Sequence, residues 1–153
     1  MKIASTVEAH GHLEIISFDA KTGEEVWRSP VIANKILNAA LSLIVQHNGG
    51  TAATSMQITS LEIGTGSTAV TASDTALVTP ILTGVTVTET AVSAASVQFD
   101  FFIVDAALAN GTYREIMLRA ATVPYTRALF TTPYVKTTGR NTLIRYTLSY
   151  ASV

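Results

Sequence analysis

Cysteine is absent from the 153-residue chain, which excludes a disulfide framework, a thiolate metal site and a cysteine nucleophile. Stability must therefore come from packing. Charge is scarce as well, at 14% of residues against the ~25% usual in soluble domains. Ten basic residues against eleven acidic ones leave a net charge of −1, too little for a strong electrostatic hold on nucleic acid or an anionic membrane surface. Long apolar runs are missing too. The greasiest stretch, Ile36 to Val45, is broken by Asn38 and Ser42 and falls short of the ~18 residues of a transmembrane segment. Glu8, His10, His12, Glu14, Asp19, Glu24 and Glu25 leave no room near the start for the apolar core of a signal peptide. Aromatic side chains are few, and Trp27 is the single tryptophan.

What is present is 48% apolar residues, enough for one domain over residues 1–153 of a size that buries about 68–70% of its unfolded surface. Strands are expected over Ile3 to Phe18 and Glu24 to Trp27, joined by the turn Asp19-Ala20-Lys21-Thr22-Gly23. Between Asn34 and Asn48 the period lengthens. Ile36, Leu37, Ala40, Leu41 and Ile44 fall on one helical face, opposite Lys35, Asn38, Ser42 and Gln46. Asn34 is placed to cap this helix and Gly49-Gly50 to end it, with Ser29-Pro30 as an alternative start about one turn earlier.

Beyond the glycines the chain reads as β. A strand is expected over Met56 to Ile63, then an ordered loop from Gly64 to Thr75, then strands over Ala76 to Leu82, Val85 to Thr90 and Ser96 to Val104. In the last of these, Val97, Phe99, Phe101 and Ile103 share one face, which marks it as core. Asn110-Gly111 signals a tight turn into Tyr113 to Ala120 as a second hairpin, with Ile116 and Leu118 on one face and Glu115 and Arg119 on the other. Arg127 to Thr132 and Thr142 to Tyr150 complete about eight strands, with Ile144, Tyr146, Leu148 and Tyr150 sharing a face. Short antiparallel strands with one amphipathic helix, residues 34–48, inserted near the N-terminal third predict a mainly β fold, an antiparallel β-sandwich or jelly roll.

Motifs for chemistry are thin. Gly64-Thr65-Gly66-Ser67-Thr68-Ala69 follows a strand, but a dinucleotide fingerprint needs a helix next, and Val70 to Thr79 is not helical in pattern. A tight loop is the better reading. His10 and His12 would project from one strand face and could share a metal with His47 or Glu14, yet no ligand-spacing motif accompanies them, so no metal or other cofactor is expected. The carboxylates Asp100 and Asp105, or Glu24 and Glu25, do not converge on a substrate, and no nucleophile elbow occurs. Arg114, Arg119, Arg127, Arg140 and Arg145 gather late in the chain, where pairing with Glu115, Asp100 and Glu89 is favoured over a polyanion strip. The chain is thus read as non-enzymatic.

Three stretches carry a resemblance: Asn34 to Gly50; Leu61-Glu62-Ile63-Gly64-Thr65-Gly66-Ser67-Thr68-Ala69 continuing to Ser73-Asp74-Thr75-Ala76-Leu77; and Ala109 to Leu118 with Arg127-Ala128-Leu129-Phe130, Val135-Lys136-Thr137 and the terminal strand. In their order they resemble small structural proteins of tailed bacteriophages, with Thr71-Ala72 departing from a proline-rich approach to Ser73-Asp74. The resemblance implies a location in the virion, as a head decoration or cement protein that binds the major capsid protein as a homo-oligomer. A tail, collar, baseplate or fibre component is the alternative, and a carbohydrate-binding receptor-recognition module a third reading. Irregular loops and termini commonly reach neighbours, so Lys2, Ile3, His10, His12, Gly64, Thr65, Gly66, Ser67 and Thr68 are the candidate interface residues.

Overall fold

In the computed structural model, which describes residues 7–152, the alternating stretches pair into two antiparallel sheets. Strands make up 55% of the protein and helical residues 10%. The elements in chain order are β1 (Val7–Asp19), β2 (Glu25–Arg28), β3 (Ile32–Ala33), β4 (Lys35–Ile36) and α1 (Asn38–Asn48), followed by β5 (Ser60–Gly64), β6 (Pro80–Thr86) and β7 (Glu89–Val92). Then come β8 (Ser96–Ile103), a 3-10 turn at Asp105–Ala107, β9 (Gly111–Ala120), β10 (Val123–Lys136) and β11 (Arg140–Ser152). The first sheet runs β2-β1-β11-β8-β7, with β3 also on β1, and the second runs β4-β10-β9-β5-β6.

The inward faces are those that the alternation picked out. Leu13, Ile15, Phe99, Phe101, Ile103, Ile144, Tyr146 and Leu148 from the first sheet meet Leu61, Ile63, Ile116, Leu118, Ala120, Ala128 and Phe130 from the second. Each buried side chain of this kind contributes about 1.5–3 kcal/mol. Tyr150, expected on the same face of the last strand, is 38% exposed, near the end of β11 and beyond the reach of the core. The fold is an antiparallel β-sandwich. Its strand orders do not establish jelly-roll connectivity, since the consecutive pairs β5/β6, β7/β8 and β9/β10 are direct neighbours.

Two sequence expectations give way. The helix begins at Asn38, with Leu37 in the cap position, and not at Asn34 or Ser29. Pairing overrides the local cap signal here: Ile32–Ala33 joins β1, Lys35–Ile36 joins β10, and Asn34 bridges the two, its amide Nδ2 donating to Tyr146 Oη at 3.1 Å. Leu37 at the cap and Ala40 and Leu43 on α1 are buried while Leu41 is 50% exposed, so the buried stripe is rotated from the one expected.

The second hairpin is also displaced. Asn110-Gly111 does precede a strand, but β8 and β9 belong to different sheets, so the segment between them is a crossing. Tyr113 Oη donates to Ala109 O at 2.7 Å and fixes the corner from within. Asp105 clips it to the next crossing, accepting from Gly139 N at 2.9 Å, Arg140 N at 3.2 Å and the buried Lys136 Nζ, while its own N–H donates to Asn141 Oδ1 at 2.9 Å. The hairpin involving β9 is β9/β10, and the strands expected at 56–63, 76–82 and 85–90 are shifted to Ser60–Gly64, Pro80–Thr86 and Glu89–Val92.

The β9/β10 turn contains Ala121 at φ 52°, in the left-handed region that costs an L side chain roughly 1 kcal/mol or more. Ala121→Gly is expected to stabilise the protein by about 0.5–1 kcal/mol, read as a rise in thermal midpoint. A lower midpoint would show that the alanine methyl packs usefully despite the backbone conformation.

Candidate functional site

Gly64 is the last residue of β5, and the loop expected from it starts at Thr65 and continues to Thr79 without forming a helix. It is organised by one side chain beneath it. Glu115 has 0% exposure, and its carboxylate accepts from Gly66 N at 3.0 Å, Val78 N at 3.1 Å, Thr79 N at 2.7 Å and Arg127 Nη2 at 2.8 Å. Arg127 is 1% exposed; its Nη2 also donates to Thr68 O at 3.0 Å and its Nη1 to Asp74 Oδ2 at 2.6 Å. Asp74 in turn accepts from Thr71 N at 3.0 Å and Thr71 Oγ1 at 2.6 Å. Alternation does place Glu115 opposite Ile116, but that face is covered by the loop and does not meet water.

The covering is apolar as well as ionic. Leu77 from the loop, Leu37 ahead of α1 and Met117 of β9 form a second buried cluster, separate from the sandwich core. Asn38 N donates to Ala72 O at 2.8 Å, so the loop also supplies an acceptor at the start of α1, which has no side-chain cap. The two glycines are required by closeness. A Cβ on Gly66 would stand 2.4 Å from Glu115 Oε1, and one on Gly64 2.3 Å from Thr79 O.

Burial pushes the Glu115 carboxyl up, but the N–H groups of Thr79, Val78 and Gly66 and the Arg127 guanidinium outweigh it and hold it below the usual carboxylate range. Asp74 follows the same balance: burial raises it, and Thr71 and Arg127 bring it down to about 2. The pair therefore stays ionised at neutral pH and serves structure.

The other sequence-predicted residues do not join this cluster. Gly64 and Gly66 are buried under the loop, Thr65 is half-buried, and Ser67 and Thr68 are exposed at its crest. His10 and His12 project from β1 opposite Ser149 and Thr147 of β11. His47 Nε2 is engaged with Thr54 O at 2.7 Å, and the described residues contain no group of three His, Cys, Asp or Glu that could hold a metal. Lys2 and Ile3 lie outside the described residues. Four of the five late arginines pair across strands: Arg119 with Glu62 at 2.7 Å, Arg127 with Glu115, Arg145 with Asp100 at 2.8 Å, and Arg140 with Asp19 at 3.7 Å, while Arg114 is exposed and neither it nor Glu89 forms an ion pair among the described residues. Asp100 and Asp105 are each spent on a cation of their own. Sequence reasoning missed the buried role of Glu115 and Arg127. A Gly-x-Gly immediately after a strand was the one available sign that something large lay beneath.

Both lowered carboxyls predict acid sensitivity. Their folded values lie below their unfolded ones, so their contribution is complete above about pH 5 and is lost as pH falls through the folded values. The melting temperature should therefore drop between about pH 5 and pH 2. Glu115→Gln keeps the shape and removes the charge, and is expected to cost about 3 kcal/mol near neutral pH and to flatten that acid limb. An unchanged melting profile in this variant would remove the carboxylate from its central role. Gly66→Ala is expected to cost about 1–3 kcal/mol at all pH values, because its cause is steric.

Compared with known proteins, the chain matches no family model, no curated protein and no solved structure.

Proposed function

We propose that the chain is a non-enzymatic structural protein of a tailed-phage particle, a decoration or cement protein that binds the capsid shell. The observation that carries the structural part of this reading is the edge of the first sheet at β7. Among the described residues β7 pairs with β8 on one side and ends the strand order on the other, and all four of its residues, Glu89 to Val92, are exposed. Its outer side offers backbone donors and acceptors, a template for an added strand from a neighbour.

The surface chemistry supports the same reading. Val92, Val45, Val135 and Val31 are 79%, 69%, 61% and 60% exposed. The charged groups that are buried are each turned onto an opposite charge, Glu115 and Arg127 onto one another, Asp100 onto Arg145 and Lys136 onto Asp105. A surface of this kind gains more from burial against a protein shell than from binding a charged small molecule. No helix among the described residues is long and apolar enough to cross a membrane. The phage context itself rests on the sequence resemblance.

Quantitative mass spectrometry of purified particles, with heads and tails separated, tests the proposal. On the order of hundreds of copies on heads is the expected result, because shell symmetry multiplies each binding site. A few copies confined to tails would replace decoration with a collar or fibre role, and absence from both fractions would overturn the virion reading.

A further inference from the structure

We propose that the cleft between β2 and the end of β10 is a binding site for an acidic saccharide. The cleft encloses about 410 Å³, within the ~300–1,000 Å³ of small-ligand sites. One wall is aromatic. Trp27 stacks on Tyr134 with ring centroids 5.4 Å apart, and Tyr134 packs in turn on Tyr113 at 6.3 Å. Tyr134 is only 1% exposed, whereas Trp27 is half-buried and lines the cleft, so the indole is the outermost ring of a stack rooted in the core. A rigid platform of this sort accepts the C–H face of a pyranose at little entropic cost.

Both strands that form the cleft are distorted there. From Trp27 to Glu25, β2 advances two residues while β1 advances one, from Ser17 to Phe18, which leaves Val26 as a bulge. From Leu129 to Tyr134, β10 advances five residues while β9 moves two, from Glu115 to Tyr113. The extra length brings Thr132 and Pro133 to the cleft. Bulges re-aim side chains and concentrate beside functional sites.

The polar wall is Arg140. It lines the cleft with a side chain 33% exposed and is ion-paired with Asp19 Oδ2 at 3.7 Å, a contact too long for a hydrogen bond. Nη1, shielded from solvent, has no hydrogen-bond acceptor among the described residues, so an incoming carboxylate competes only with this loose pairing for the cation. A loosely held guanidinium beside an indole suits a ligand that presents a carboxylate together with a stacking ring. Thr132 and Thr137, both exposed, stand ready for its hydroxyls. A tryptophan that merely sealed the end of the sandwich would require neither bulge.

Because Trp27 is the single tryptophan, its emission reports on this cleft and nothing else. The full chain is titrated to about 10 mM with trigalacturonate and 3′-sialyllactose, each beside its neutral counterpart, galactotriose and lactose, a ceiling set by the millimolar range of single-site weak binding. A saturable shift in emission with at least one acidic sugar, about tenfold tighter than with its neutral counterpart, is the expected result. Arg140→Gln should erase that tenfold preference, while a folded variant is verified by its cooperative thermal transition. An unaltered spectrum with all four sugars overturns the proposal, as does an acidic preference that survives in Arg140→Gln. The test does not depend on whether the chain is found on particles, so this inference and the shell-binding one can fail separately.

Discussion

A carboxylate that never reaches water must be surrounded by donors, and in this protein Glu115 imposes that requirement on everything around it. Three backbone N–H groups and one guanidinium meet its oxygens, and three of those four come from or bracket the loop that follows β5 or lead into β6. The loop cannot be anywhere else without leaving a buried charge bare, an outcome that costs several kcal/mol. Its position then fixes others: Gly64 and Gly66 must lack side chains, Leu77 must fill the seam with Leu37 and Met117, and α1 must start where Ala72 O can accept from Asn38.

The two sheets are consequently unlike on their outer faces. The second sheet carries the loop and its ion network as a cover. The first has instead a row of charge set by register, in which Glu14 opposes Arg145, Arg145 opposes Asp100, and Asp100 opposes Glu89 across β1, β11, β8 and β7. Arg145 grips Asp100 through two bonds, Nε to Oδ1 at 3.0 Å and Nη2 to Oδ2 at 2.8 Å. With Asp100 buried and Arg145 partly exposed, this pair favours one register, because a slip would leave the Asp100 carboxylate without its cation.

Strands with one buried face were legible in the sequence. Phe99, Phe101 and Ile103, like Ile144, Tyr146 and Leu148, alternate because burial on a single face demands it. What could not be read was whatever depended on distant partners. Asn34 has the chemistry of a helix cap, yet two short strand pairings claim the residues around it. Asn110-Gly111 has the chemistry of a hairpin turn, yet the strands on either side leave for different sheets, and Asp105 ties that crossing to Gly139, a residue that no local window includes. The face of Glu115 was legible; the loop that covers it was not. Of the candidate interface residues, Ser67 and Thr68 do reach the surface, but the same loop's glycines face inward.

The pairing of β1 with β11 joins strands well over a hundred residues apart at the heart of the first sheet, in a register that runs from Val7 opposite Ser152 to Asp19 opposite Arg140. Since β11 also carries β8, the first sheet has no centre until β11 exists, whereas the second, β4-β10-β9-β5-β6, needs neither of these strands. Contacts of such wide sequence separation form slowly, because loop closure must precede any reward. On the ribosome, β1 must wait for β11 to emerge, so a chain cut short before β11 can assemble the second sheet but leaves β1 and β8 without the strand that joins them.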